Sequence, residues 1–364
     1  MTAPPAPRTV GQHCPGYQQG WTSRAREVLG LLPAGTVETG RRSIERGLMA
    51  AGVAEANHSW ATEAWVAERL VEPLLLVDDW PPPSQPLPVG GGAVHADLTD
   101  DDHELFAGLR QAMTEDGTRL EAEVLAAAAQ ELRLPVIPYR RPADTSITTN
   151  QPEPQPAVEA SSGWRRSGPM VVDLTALWAG PLATSLLAEL GARVIKVDPD
   201  CRPDGLRVHD PVYRTLNANK TIVDLDLRLG PQREHFESLL NEADLLVDSF
   251  SRRVMTNLDY GPDELRARFP QLSTLSIVAF PAGTAEQDWV SYGPGIHAAS
   301  GLAFKGHDPT CGPQPAPIAY PDVLAGLSAF AAGAEALSAR RGAPHREISL
   351  AGALEPLITP RGTP

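Results

Sequence analysis

Asp322 stands in the stretch PIAYPDVLAG, directly ahead of the small-residue apolar run VLAGLSAFAAGAEALSAR. A lone acid at the head of a helix has two uses. As an N-cap it accepts backbone N–H bonds and adds about 1 kcal/mol to the helix. As a nucleophile it profits from the same place, because the helix dipole favours the ionised carboxylate. Residue chemistry leaves both uses open. LNANKTIVDLDL sets Asn217, Asn219 and Lys220 at the mouth of a strand, where two carboxamides and an ammonium can grip a phosphate or fix a loop. Arg252 and Arg253, after VDSF, offer the same choice between a phosphate and open surface. The turn VVDLTALWAGP joins a strand to a helix, the place where open α/β sheets bind ligands. A tight turn shaped by Gly180 and Pro181 fits that stretch equally well.

Other chemistries lose support by spacing. His95 and His103 are eight apart, and His297 and His307 flank a glycine-rich stretch, so none has the HExxH spacing of a metal site. No GxSxG elbow, GxGxxG fingerprint or GxxxxGK[ST] loop occurs. Cys14, Cys201 and Cys311 lack CxxC spacing, which fits a reducing cytoplasm and no structural zinc. A net charge of -14 argues against nucleic acid and anionic lipid as partners. No apolar run approaches the ~20 residues of a membrane helix. The opening MTAPPAPRTVGQHCPG lacks the apolar core of a secretory signal, so a cytoplasmic protein is expected.

Three regions must position these residues. Residues 1–139 read as a helical or small α+β region, 140–169 as a Pro/Ser/Thr-rich linker, and 170–364 as a strand–helix alternation. In the first region, Thr22 to Leu70 suggests two or three helices. GGAVHADL reads as a short strand and TDDDHELFAGLRQAM as a helix opened by a Thr or Asp cap. In the last, PMVVDLT, ARVIKVD, TIVDLDL, ADLLVDS and LSTLSIV are strands, several of the continuous apolar kind that parallel sheets bury on both faces. Between some of them lie the helices PLATSLLAELG, REHFESLLNE and PDELRARF. The expected fold is α/β, a doubly wound parallel (Rossmann-like) sheet with a second, smaller α+β domain. The glycines of SYGPGIHAASGLAF suit either close approach to a ligand or a flexible loop. The chain stops after ISLAGALEPLITPRGTP, so whatever completes the fold is expected N-terminally or on another subunit.

Several blocks in register resemble the family III CoA-transferases, which include formyl-CoA transferases and α-methylacyl-CoA racemases. VVDLTALWAGPLATSLLAELGARVIKVD is similar to the family's opening, LNANKTIVDLDL to its L-N-x-N-K block, and YGPGIHAASGL to the loop before its active site. RRGAPHREISLAGAL resembles its R-x-G strand, so about 190 residues follow the family's order. The resemblance implies that Asp322, in a D-x-x-[AST]-G segment, is the nucleophile, with coenzyme A entering as a substrate thioester. CoA would move between carboxylic acids through an aspartyl mixed anhydride. It also implies a CoA-contacting set of Trp178, Ala179, Gly180, Lys196, Asn217, Asn219, Lys220 and Phe250, no metal, and an interlocked homodimer. Tyr292 falls where racemases carry a catalytic His, and His297 lies five residues on, so both join Asp322 as catalytic candidates. Asp198 stands in place of a family Glu, and Asn257 replaces a family Arg, which thins the positive charge for CoA. Two alternatives follow: a scaffold that isomerises, dehydrates or cyclises without CoA, or a non-catalytic partner subunit. GGAVHADLTDDDHELFAGL and EAEVLAAAAQELRLPVIPY look like the family's small domain placed first, a circular permutation.

Overall fold

The computed structural model describes residues 22–53, 62–145, 164, 168–305, 312–339 and 342–358. Most of the expected linker lies outside them. Three helices come first: α1 (Ser23–Leu31), α2 (Thr36–Ala50) and α3 (Glu63–Leu76). Thr22 and Thr62 cap α1 and α3, their side chains accepting from the Ala25 and Trp65 amides. Then follow β1 (Leu87–Val89), β2 (Gly92–Ala96), α4 (Asp100–Glu115), α5 (Ala122–Glu131) and β3 (Val136–Pro138). The three strands form an antiparallel sheet in that order, with Val94 opposite Pro138 and Leu87 opposite Val94. A capping box between Thr99 and Asp102 opens α4. Val94, Phe106, Leu125, Ala129, Leu134 and Val136 give this sheet and its helices a core of their own.

The remaining elements alternate: β4 (Met170–Leu174), α6 (Ala179–Glu189), β5 (Arg193–Val197), α7 (Asp210–Asn217), β6 (Lys220–Val223), α8 (Gly230–Glu242) and β7 (Leu245–Asp248). After them come α9 (Arg252–Asn257), α10 (Pro262–Arg268), β8 (Ser273–Val278), α11 (Gly293–Ala299) and α12 (Tyr320–Ser338). The chain closes with β9 (Arg346–Ser349), α13 (Leu350–Ala353) and α14 (Glu355–Ile358). Six strands form an all-parallel sheet in the order β6-β5-β4-β7-β8-β9. Successive residues feed opposite faces, as strand geometry requires. Val171, Val194, Leu245 and Val247 pack toward α6 and α12, while Met170, Val172, Ile195 and Leu246 meet Phe236 and Leu240 of α8. The sheet is therefore covered on both sides, the doubly wound arrangement expected from the sequence.

Two expectations need correction. TIVDLDL does not run as one strand: β6 ends at Val223, because the carboxylates of Asp224 and Asp226 turn back to accept from the Asp200 and Arg228 amides. The glycine-rich YGPGIHAASGL is not a loop. Gly293 and Pro294 start α11, and Ile296 to Ala299 are buried inside the fold.

The helix bearing Asp322 is buried almost all round. A Cβ on Gly47 of α2 would overlap the Phe330 ring, and one on Gly326 would lie 2.7 Å from the Ala179 carbonyl oxygen. These glycines let α2 and α6 close on α12, which fixes its N-terminal end beside that of α6. No helix among the described residues is long and apolar enough to cross a membrane.

Candidate active site

Asp322 occupies the first turn of α12, but Ala319 holds the N-cap position and no side chain caps the helix. The expected capping role is therefore absent. The carboxylate instead lies against Gly293, whose Cβ, if present, would overlap Asp322 Oδ2. That oxygen is buried and accepts no hydrogen bond. Burial pushes the Asp322 carboxyl upward, and the charge of Asp97 pushes it further. The Gly293 and Asp322 amides pull it back, leaving it at about 7. A carboxylate poised there is half-ionised at neutral pH, in the range useful for proton transfer or for nucleophilic attack.

Asp97 comes from the N-terminal half, immediately after β2. Its Oδ2 is 2.9 Å from His95 Nε2, yet neither atom is in hydrogen-bonding alignment with a partner. Tyr139, just past β3, stands edge-on to the His95 ring with centroids 6.3 Å apart. Burial and then Asp97 raise its phenol well above the ordinary range. The strands reach the site by pressing on α11: a Cβ on Gly295 would lie 3.0 Å from Ile137 Cγ1 and 3.6 Å from His95 Cδ2. So β2 and β3 brace the helix that presents Gly293 to Asp322. Sequence reasoning singled out neither Asp97 nor Tyr139. The alternation in GGAVHADL does put residues 95 and 97 on one face, the signal that could have found the pair.

Tyr292 precedes α11 and is partly exposed. Its phenol is raised by burial, then by Asp97 and Asp102, with Asp322 adding to them and Arg202 opposing. It therefore shares the space around Asp322. His297, one turn along α11, does not face that space as a free base. Its Nδ1 is 2.8 Å from the Tyr320 hydroxyl and its Nε2 is 3.1 Å from the Gln314 carbonyl. Only a donating Nε2–H satisfies the carbonyl, so in the neutral ring Nδ1 accepts from Tyr320. His297 thus ties α11 to the first residue of α12.

The residues expected at the nucleotide end are placed more variously. Lys196 Nζ donates to the Thr175 carbonyl at 2.5 Å and to Asp204 Oδ2 at 3.1 Å. Lys220 Nζ donates to Asp173 Oδ2 at 3.1 Å and to the Pro181 carbonyl at 2.9 Å. Both ammonium groups are enclosed, and burial pushes Lys220 down to about 8 against the pull of Asp173. Asn217 donates to the Tyr213 carbonyl, its Oδ1 left unpaired, while Asn219 is exposed. Gly180 has no room for a side chain beside Thr175. Trp178, with a buried unpaired Nε1, meets Trp80 edge-on at 5.9 Å. Ala179 touches α12 at Gly326, one turn beyond Asp322. The Phe250 amide donates to Asp248 Oδ1, and Asp248, raised to about 6 by burial, also accepts from Ser276. Ala176 and Ser249 bridge β4 and β7, where the strand order reverses and such sheets bind ligands. Among the described residues, no three His, Cys, Asp or Glu side chains gather as a metal site.

Comparison with known proteins gives the site a context. The family model for CoA-transferase family III matches residues 167–351. The succinyl-CoA:mesaconate CoA-transferase of Haloarcula hispanica is 36% identical over 124 residues, 30% of this chain and 31% of that one. The acetyl-CoA:oxalate CoA-transferase of Acetobacter aceti is 29% identical over 181 residues, 48% of this chain and 46% of that one. A CaiB/BaiF family protein from Brucella suis has a solved structure 26% identical to this chain. It is matched over 53% of this chain and 55% of its own, with a TM-score of 0.48. The chain thus spans from under a third to about half of the length of these relatives.

Proposed function

The chain belongs to CoA-transferase family III, and from that premise we propose that it moves CoA between carboxylic acids with Asp322 as nucleophile. The observation that carries this reading is the buried, hydrogen-bond-free Asp322 Oδ2 facing Gly293. A buried carboxylate oxygen with no partner keeps its lone pairs for an electrophile.

In this mechanism Asp322 attacks the thioester carbonyl of an acyl-CoA. The C–S bond breaks, CoA leaves as thiolate, and a mixed acyl–aspartyl anhydride remains. The thiolate attacks the aspartyl carbonyl, releasing the first acid and leaving an aspartyl-CoA thioester. The acceptor carboxylate attacks that thioester and expels the thiolate again. Thiolate attack on the new acyl carbonyl then yields the product thioester and free Asp322. The Gly293 amide, beside the carboxylate, is placed to donate to the oxygen that gains charge at each addition. Tyr292 would border the acyl group, and His297 would hold α11 and α12 in register. Trp178, Ala179, Gly180, Asn217, Asn219 and Phe250 would form the CoA side, near the reversal of strand order. The active species would be a cytoplasmic homodimer, which light scattering of the intact chain would test.

The enclosed pairing of Lys196 and Lys220 favours a second reading, in which the scaffold works without CoA. One experiment separates the two. The protein is incubated with an acyl-CoA and hydroxylamine, and Asp322 is examined by peptide mass for the hydroxamate. Trapping at Asp322 supports transfer; no trapping together with no CoA binding by calorimetry sinks it.

A further inference from the structure

The matched segment, residues 167–351, does not supply every wall around Asp322. β2 and β3 press on α11 two residues from Gly293, with Ile137 Cγ1 3.0 Å and His95 Cδ2 3.6 Å from where a Gly295 Cβ would lie, and the charge of Asp97 reaches Asp322. Both ring nitrogens of His95, Asp97 Oδ2, the Tyr139 hydroxyl and Asp322 Oδ2 are buried without a hydrogen-bond partner. His95 is 1% exposed and Tyr139 7%, so bulk water does not serve them. Native interiors pair nearly all such groups, and a group of unpaired ones marks a place prepared for polar atoms from elsewhere. Asp97 is their common neighbour. It lies 2.9 Å from His95 Nε2, and its charge is felt at Tyr139, Tyr292 and Asp322.

We infer that β2 and β3 build the acyl-chain subsite facing Asp322, and that it takes an acyl group bearing a hydroxyl, read by Asp97 and Tyr139. This inference rests on the Asp322 reading above and adds the substrate class. The unpaired set mixes an acceptor, Asp97 Oδ2, with groups able to donate, the Tyr139 hydroxyl and the His95 ring. A hydroxyl is the small neutral group that donates and accepts at once. A plain alkyl chain would leave these atoms unsatisfied and would bind at a loss. A second carboxylate on the acyl chain would sit in the field of Asp97, Asp102 and Asp322. Arg202, which opposes the acids at the rim residue Tyr292, is itself exposed. The substrate class therefore differs from the dicarboxylates named for the relatives from Haloarcula and Acetobacter.

The test measures hydroxamate formation from 3-hydroxybutyryl-, butyryl- and succinyl-CoA by the wild-type chain, Asp97→Asn and Tyr139→Phe. The wild type is expected to prefer the hydroxyacyl thioester over butyryl by about tenfold or more in kcat/KM, with succinyl slowest. Each variant should bring the hydroxyacyl-to-butyryl ratio toward one. Any change in Asp322 ionisation acts on all three thioesters alike, so the ratio isolates recognition. Calorimetry with free 3-hydroxybutyrate, butyrate and succinate reads the same preference without any chemistry at Asp322. Absent acylation with a retained preference for the hydroxy acid refutes the nucleophile alone. Ratios unchanged in both variants, a wild-type preference for succinyl, or no selective binding of the hydroxy acid overturns the subsite.

Discussion

Gly293 and Asp322 occupy one volume between them: the carboxylate oxygen stands where any side chain at position 293 would have to be. The close approach lets a backbone amide face the carboxylate with nothing between. Gly293→Ala should force the carboxylate away by about an ångström. A misplacement of that size costs about 100-fold in rate when the reacting group itself moves. Since residue 293 opens a short helix, alanine is acceptable to the backbone, and the melting temperature should change little. Acylation kinetics beside a thermal melt would check both halves. A variant with wild-type rate would show that the contact is packing alone.

The carboxyl of Asp322, raised to about 7 by burial and by Asp97, sets a pH dependence. A nucleophile must be ionised, so the rate should climb as pH rises through about 7 and level off above. Asp97→Asn removes the neighbouring charge and should move that limb to lower pH. Stability runs the other way. The folded state holds this proton more tightly than the unfolded chain does, so stability is fully present below the ordinary carboxylate range and is lost as pH rises through about 7. Asp322→Asn should therefore stabilise the protein at pH 8 by about 1–3 kcal/mol, discounted for a partly open site, and by little at pH 4. Denaturant melts at the two pH values would measure it.

Lys220 is enclosed with Asp173, which also accepts from the Thr175 and Thr184 hydroxyls. Burial opposes ionisation of Asp173, but Lys220 and Lys196 outweigh it and hold its carboxyl below the usual range. Lys220→Met leaves that buried carboxylate short of its countercharge, a loss of about 3–5 kcal/mol. The expected outcome is a clear fall in stability. A variant that kept its stability and lost CoA affinity would instead assign the ammonium to a phosphate.

Much of this was legible in the chain because periodicity speaks of burial. The apolar strands MVVDL and LLVD carry the parallel sheet, and the 3.6-residue patterns fall on its helices. Asp322 could be picked out by its motif, with cap and nucleophile both left open by residue chemistry, and the fold turns its carboxylate onto Gly293. Lys220 stayed open between a phosphate and a loop because an ammonium near a strand end is ambiguous until its carboxylate, Asp173, is located. Asp97 and Tyr139 stayed hidden because their meaning depends on β2 and β3 meeting α11, a contact across some 200 residues that no local spacing encodes.

His297 illustrates how a catalytic candidate becomes a positioning residue, and it gives the last expectation. Its Nδ1 meets the Tyr320 hydroxyl and its Nε2 the Gln314 carbonyl, so both nitrogens are engaged, and in the neutral ring the proton sits on Nε2. Tyr320, fully buried, begins the helix turn that carries Asp322. Tyr320→Phe keeps the ring packing and removes the hydroxyl, leaving His297 Nδ1 without its donor at a cost of about 1–3 kcal/mol. If His297 acts only through position, the variant should lose stability while the pH dependence of acylation keeps its limb near 7. A base at His297 would behave differently: freeing Nδ1 should add or move a limb in the ordinary histidine range. The pH profile of Tyr320→Phe, read beside its melting temperature, separates the two roles.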